Sequence, residues 1–283
     1  MKYCLRSHLI LVALVFHLPQ VFPSGGSPAG LIEGLAARAM AQENTTDLPE
    51  YTILQTAGPI EVDGRLDEPS WRAATPVDDF IFPWWVEGEK EPTEGRMLWD
   101  ETHLYVSFIA YDKHISATLT QRDDPVSRDD AVEVFIAPQV DDVSQYFNFE
   151  FNALGTILDR SPRNGRSSSW NAEDIAVAIS IDGTLNDETD EDRLWTTEIA
   201  IPFASFEEFA PRLPPLDGDT WRLNLYRIGG KVNPQYSAWS NTLSEKPQYH
   251  VPERFGIVHF SSVAADIITA LEGTSWGHIK NLD

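Results

Sequence analysis

Apolar and polar residues alternate along most of the chain between residues 52 and 262. The clearest case is "QYFNFEFNALGTILD", in which Phe147, Phe149 and Phe151 fall on one side and polar residues on the other. This period of two predicts half-buried β-strands. Helical spacing is scarce, and only "DEPSWRAA" and "PFASFEEFA" favour short helices. We therefore predict an all-β fold, an antiparallel β-sandwich of two sheets with one or two short helices.

Turn residues divide this alternating text into separate strands. Residues 97–99 and 104–110 are β-type runs separated by "DETH", which predicts a hairpin. Further strands are predicted in "AVEVFIAP", "DIAVAISID", "LWTTEIAIPF", "TWRLNLYRIG" and "RFGIVHF".

The stretch "IEVDGRLDEPSWRAA", residues 60–74, places several acids directly before a tryptophan. Asp63-Gly64 is a strong turn dipeptide, which we expect to end the strand "IEV". Asp67 or Glu68 is expected to accept hydrogen bonds from the first N–H groups of a short helix, whose first turn holds a proline. Trp71 is then expected to point into the core. These acids therefore indicate a structural role more than a catalytic one.

The first 41 residues are typical of an export signal. Lys2 and Arg6 precede an apolar run over residues 9–22, and a small-residue pattern ends at Ala41. A membrane-anchored N-terminus is the alternative, although the run is short and interrupted. We predict a signal peptide (1–41), a linker (42–51), the sandwich (52–262) and a C-terminal tail (263–283). No integral membrane span is expected after signal cleavage, and the protein is expected to be secreted, periplasmic or on the cell surface.

The charge balance restricts the partners. The chain carries 44 acidic and 21 basic residues, a formal charge of −23. Such a chain should repel nucleic acid and anionic lipid, whereas uncharged partners such as sugars remain open. Its one cysteine, Cys4, lies in the predicted signal, so the mature protein would have no thiol for disulfides, metal sites or nucleophilic catalysis.

Six segments match a known pattern in the right order. Residues 62–71 read apolar-Asp-Gly-x-Leu-Asp-Glu-x-x-Trp. The others are "LWDETHLYVSFIAYD", "RDDAVEVFIAP" with Asp-x-Val-Glu-x-Phe, "FNFEFNALGTILD", "WTTEIAIPF" with Glu-x-x-Ile-Pro, and "HVPERFGIVHF" with Pro-x-x-Phe-Gly. Over about residues 52–262 they resemble the family 9 carbohydrate-binding modules and their close relatives.

This resemblance implies a jelly-roll-like, non-catalytic module that binds sugar chain ends, as in secreted xylanases and other glycoside hydrolases. It implies two aromatic side chains around the sugar. Tyr249 stands at one of these places, whereas the other place, around Ser127, has no aromatic residue. Glu133 would accept from a sugar hydroxyl. Some family members bind calcium, so calcium is a possible cofactor, and no other cofactor is implied.

A sugar ring has an apolar C–H face and a rim of hydroxyls, so it needs an exposed aromatic platform and fixed polar partners. The platform candidates are Tyr249, Trp239, Trp84, Trp85 and Trp170, and the hydroxyl partners are Glu133 and Asn171. Alternatives stay open for three of these places: one of Trp84 and Trp85 could be core, Trp170 could begin a core strand, and Glu133 could face solvent. The remaining tryptophans of the sandwich are predicted to be core: Trp71, Trp99, Trp195 and Trp221.

Other functions receive weaker support. No Gly-x-Ser-x-Gly or His-Glu-x-x-His motif occurs, and with so many acids no carboxylate pair is distinguished. The aspartates of "IDGTLNDETDED" do not match an EF-hand, which favours a solvated turn over a calcium site. Haem binding, known in the wider DOMON-like superfamily, would need Met97, which we expect in the core. A surface interaction sandwich without sugar binding is the main alternative.

Overall fold

The computed structural model describes residues 48–163 and 169–266. The predicted signal peptide and most of the linker and tail lie outside these residues. One α-helix and eleven strands lie entirely within these residues. The helix is α1 (Pro69–Ala73), and the strands are β1 (Glu50–Gln55), β2 (Thr93–Trp99), β3 (His103–Tyr111), β4 (Ala131–Ala137), β5 (Phe147–Asn152), β6 (Ile157–Arg160), β7 (Ala176–Asp182), β8 (Leu194–Pro202), β9 (Thr220–Gly229), β10 (Gln235–Ala238) and β11 (Gly256–Ala264).

The strands follow the order β6-β5-β4-β9-β11-β1-β2-β3-β8-β7, and β10 pairs with the end of β9. β1 is parallel to both β11 and β2, whereas the other pairs are antiparallel. The prediction of a β-sandwich is confirmed, but the expected two sheets form one continuous eleven-stranded sheet that curls on itself. Every strand pair is antiparallel except β1–β11 and β1–β2. β1 therefore connects the two halves, since it pairs with β11 of one half along one edge and with β2 of the other half along its other edge.

The main core lies between the two halves. Phe147, Phe149 and Phe151 pack there from β5, as the alternation predicted, together with Val106 and Phe108 from β3. Trp71, Trp99, Trp195 and Trp221 are all buried, and so is Met97, which confirms their prediction as core residues. The predicted hairpin is formed by β2 and β3. Of the two predicted helices, the second is a 3-10 helix at Phe203–Phe206.

Two boundaries differ from the prediction. β1 begins at Glu50, so the last two residues of the predicted linker belong to the first strand. That strand buries Tyr51, whose hydroxyl donates to the Thr75 carbonyl (2.7 Å). At the other end, β11 continues to Ala264, two residues into the predicted tail.

A glutamate on a distant strand contributes three hydrogen bonds to the stretch at residues 60–74. One oxygen of the buried Glu198 carboxylate, on β8, accepts from the N–H groups of Asp63 and Gly64 (both 3.0 Å). Its other oxygen accepts from the Trp71 indole (2.9 Å). The expected helix cap is wrong, because Glu68 makes no side-chain cap and accepts instead from the Glu61 N–H (3.1 Å).

The strand predicted at residues 60–62 is also wrong, since these residues pair with no other strand. Gly64 is required here, because its φ is +85° and an added Cβ would lie 2.9 Å from the carbonyl carbon of Ile179.

Candidate functional site

A cavity of about 270 Å³ lies on the outer face of the half formed by β4, β5, β9 and β10. We call it the outer-face cavity. Alternation along β4 sends Val132 and Val134 into the main core and Glu133 to the opposite face. Loop residues that precede β11 cover this face and complete the walls. The cavity is lined by Ser127, Glu133, Glu150, Ile228, Tyr236, Pro247, Gln248, Tyr249 and His250.

Two glutamates form the floor of the cavity. Glu133 on β4 and Glu150 on β5 are directly opposite in the strand register, and both are buried. The Asn148 side-chain amide donates to Glu150 Oε1 (2.8 Å). Burial, and secondly the nearby charge of Glu150, raise the pKa of Glu133 well above its ordinary value. A protonated Glu133 can both donate and accept a hydrogen bond, which suits it to sugar hydroxyls.

The aromatic wall is fixed by stacking and hydrogen bonds. The Tyr249 ring stacks on Tyr226, with ring centroids 4.0 Å apart and planes at 15°. The Tyr226 hydroxyl donates to the Tyr249 carbonyl, and the Tyr249 hydroxyl donates to the Arg227 carbonyl (both 2.9 Å). Burial raises the pKa of both tyrosines well above the ordinary value, so they stay protonated donors.

Tyr236 on β10 supplies the accessible ring. It lines the cavity and is 36% exposed, whereas Tyr249 is 7% exposed. The Trp84 ring packs beside both tyrosines, with its centroid 5.9 Å from that of Tyr249 and 6.3 Å from that of Tyr236, and the two tyrosine centroids are 6.3 Å apart. The Trp84 indole donates to the Ser244 carbonyl (2.8 Å), which ties its loop to the loop before β11.

Of the residues predicted from the sequence, Tyr249 and Glu133 come together in one cavity, and Trp84 packs against its wall. Tyr249 is buried, however, so it forms a wall more than the exposed platform that we expected. Glu133 does not face open solvent either, since it is 3% exposed. The place around Ser127 lies at the same cavity and brings no aromatic ring to it.

Four other predicted residues, Trp239, Trp170, Asn171 and Trp85, are not among the residues that line the cavity. Trp239 is buried in the main core, where it meets Tyr51 edge-on. Trp170 packs partly buried against Phe147 and Phe149 of the same core. The exposed Asn171 accepts from the Arg122 guanidinium through its side-chain oxygen (3.0 Å). The fourth, Trp85, is 43% exposed on the loop next to Trp84.

Sequence reasoning missed Tyr236, Glu150 and His250. The His250 Nδ1 lies 2.9 Å from the Tyr146 hydroxyl. Glu150 stands on the polar side of the alternation in β5, which signals an outward position. Only the strand register, however, brings it opposite Glu133.

No group of three or more His, Cys, Asp or Glu residues is placed to hold a metal ion in the part of the chain that the structure describes. The aspartate-rich turn is organised internally, since Asp192 accepts from the N–H groups of Thr184 (2.6 Å) and Ile115 (2.8 Å). Over residues 48–163 and 169–266, no helix is both long enough and apolar enough to span a membrane.

Solved structures with the same fold include carbohydrate-binding proteins. A Bacteroides uniformis protein proposed to bind carbohydrate shares 22% identity, with a TM-score of 0.64 over 76% of this chain and 100% of that one. A family 9 carbohydrate-binding module of Caldicellulosiruptor kristjanssonii in complex with cellotriose shares 13% identity, with a TM-score of 0.55 over 76% and 95%. The structure of a module from the same organism and family in complex with glucose shares 13% identity, with a TM-score of 0.52 over 75% of this chain and 97% of that one.

A search of curated proteins finds no match. The model of the family described as "Carbohydrate-binding family 9" matches residues 87–260, which is more than half of the chain and includes all the residues that line the outer-face cavity. The chain belongs to carbohydrate-binding family 9.

Proposed function

We propose that the outer-face cavity holds a sugar residue at the end of an oligosaccharide or polysaccharide, and that the protein is a non-catalytic carbohydrate-binding module. One observation carries this proposal: aromatic rings and hydrogen-bonding side chains converge on one small cavity. Tyr236 supplies an accessible ring, and Glu133 and Glu150 supply the floor. The volume, about 270 Å³, is near the lower end of ligand sites, which run from about 300 to 1,000 Å³.

The cavity lining offers partners for both the apolar face and the hydroxyl groups of a sugar. The C–H face of a pyranose ring packs on an aromatic ring, which offers area with few rotatable bonds. Its hydroxyls need donors and acceptors that are already in place. Glu133, whose pKa is raised by burial, can donate a hydrogen bond when it is protonated, and the Glu150 carboxylate can accept one; both are held by neighbouring strands in fixed register.

The arrangement of the two glutamates favours binding over hydrolysis. A glycoside hydrolase needs two carboxyl groups that flank the scissile bond. Glu133 and Glu150 stand side by side on one face of one sheet, so a sugar above them would meet both from the same side.

Two features of the sequence support a proposed location and a proposed class of partner. The N-terminal signal pattern supports export, to the medium, the periplasm or the cell surface. The strong negative charge supports an uncharged ligand over nucleic acid. We propose that the protein supports polysaccharide breakdown by separate glycoside hydrolases. Cello-oligosaccharides and glucose are the first ligands to test, since a module with the same fold was solved with cellotriose and with glucose.

The test is isothermal titration calorimetry of residues 42–283 with glucose, cello-oligosaccharides and xylo-oligosaccharides, with and without calcium. Saturable binding is expected. Tyr236→Ala should weaken it by about 1–3 kcal/mol, roughly 5- to 150-fold in Kd. Tyr236→Phe, which keeps the ring, is the matched control and should bind within a few-fold of the unaltered protein.

Absence of binding to every sugar, by a protein that melts cooperatively, would contradict the proposal. It would favour an interaction sandwich without sugar binding, the alternative supported by the lack of an aromatic residue at Ser127. A calcium requirement would instead show that a cation completes the site.

A further inference from the structure

Exposed apolar side chains gather beside the outer-face cavity. Nine large hydrophobic residues are exposed in the described part of the chain. Four of them, Trp85, Val86, Tyr236 and Leu243, lie on segments that meet at the Trp84 side chain. A soluble protein rarely groups such residues without a partner for them.

Trp84 fixes the positions of two of these residues. Its indole donates to the Ser244 carbonyl, and its ring packs beside Tyr236 and Tyr249. Trp85 follows Trp84 directly, and Leu243 directly precedes Ser244. Consecutive Cα atoms are about 3.8 Å apart, so the Cα atoms of Trp85 and Leu243 each lie about that distance from the Cα atom of a residue in the Trp84–Ser244 contact.

The Trp85 side chain is 43% exposed, and Lys90 Nζ lies over one face of its indole ring, 4.9 Å from the ring centroid. A sugar would therefore stack on the opposite face of the ring. Leu243 is 67% exposed and adopts a φ of +55°, which is uncommon for a leucine. The Leu243 N–H donates to the Asn241 side-chain oxygen (2.9 Å), which holds the loop in this conformation.

We propose that Trp85 and Leu243 form a second sugar subsite outside the cavity. It would take the residues of an uncharged oligosaccharide that continue out of the cavity, so an oligosaccharide would bind more tightly than a monosaccharide. This inference rests on the proposed function. An aromatic ring beside a bound sugar offers the next sugar its own stacking surface. Trp85 precedes the region matched by the family model, whereas Leu243 lies within it.

The experiment compares the Kd of the unaltered protein and of Trp85→Ala for glucose and cello-oligosaccharides of two to six residues, with the xylo-oligosaccharide series in parallel. The unaltered protein is expected to bind longer chains more tightly, up to the length that reaches Trp85. Trp85→Ala should weaken binding of the longest chain at least about tenfold and leave monosaccharide binding within about twofold. The control variant is Leu216→Ala. Leu216 is an apolar residue that is 52% exposed and lines a different cavity.

Two results would overturn the inference while sugar binding itself stands. One is an unaltered protein whose affinity does not increase with chain length. The other is a Trp85→Ala variant whose Kd falls or stays the same for every length. Failure of the unaltered protein to bind any sugar is a different result, since it would refute the proposed function. Melting curves of all variants should coincide, because Trp85 and Leu216 lie outside the core.

Discussion

Replacing Glu133 by glutamine tests whether the floor of the cavity is a neutral carboxylic acid. Glutamine has the shape of a protonated glutamate but cannot ionise. Burial, with a smaller effect of Glu150, raises the pKa of Glu133 well above 4.5 in the folded protein. We therefore expect Glu133→Gln to remain folded and to be more stable than the unaltered protein at alkaline pH.

The sign follows from proton binding. Above pH 4.5 the unfolded Glu133 releases its proton, whereas the folded Glu133 keeps it. The folded state then holds more protons, so this group's contribution to the free energy of unfolding falls as pH rises, until the pKa of the folded group is passed. The fall is at most about 1.4 kcal/mol per pH unit. The variant lacks this contribution, so its stability relative to the unaltered protein should rise with pH by up to that slope.

The assay is urea unfolding of both proteins at several pH values from 4 to 9. The difference between them reports the loss of Glu133 together with its effect on the neighbouring Glu150, because the other titrating groups are shared. Glu101→Gln, at an exposed glutamate, is the control and should show no such trend. A stability difference between Glu133→Gln and the unaltered protein that does not change with pH would refute a protonated Glu133.

Two further predictions concern buried charged groups. Glu198→Ala should lower the free energy of unfolding by about 3 kcal/mol, because it leaves the N–H groups of Asp63, Gly64 and Trp71 without an acceptor. Urea unfolding measures this loss, and a value below about 1 kcal/mol would contradict the prediction. Arg227→Met should lower it by about 3–5 kcal/mol, because Asp112 and Asp130 then stay buried without their guanidinium. The matched control is Arg193→Met, which removes an exposed ion pair with Asp182. This change should alter the free energy of unfolding by about 1 kcal/mol or less. Equal losses for the two arginine variants would refute this reasoning.

Local patterns in the sequence were sufficient for most of the fold. Alternation predicted the inward phenylalanines of β5, and the apolar runs around Asp100 predicted the β2–β3 hairpin. The four tryptophans that were predicted to be core, Trp71, Trp99, Trp195 and Trp221, are all buried. These predictions succeed because the side of a strand residue is set by its neighbours in sequence. The strand predicted at residues 60–62 does not form, and the turn directly after it is held by the Glu198 carboxylate on β8, which accepts from the N–H groups of Asp63 and Gly64.

The composition of the site depended on contacts between distant segments. The sequence determined that Glu133 and Tyr249 were candidates, and that the place around Ser127 lacked an aromatic residue. Only the tertiary structure decided that Glu150 lies opposite Glu133, that Tyr236 is the accessible ring and that Trp239 is buried. The physical reason is that strand register and loop packing are set by the whole core, whereas alternation reports only which face a residue takes.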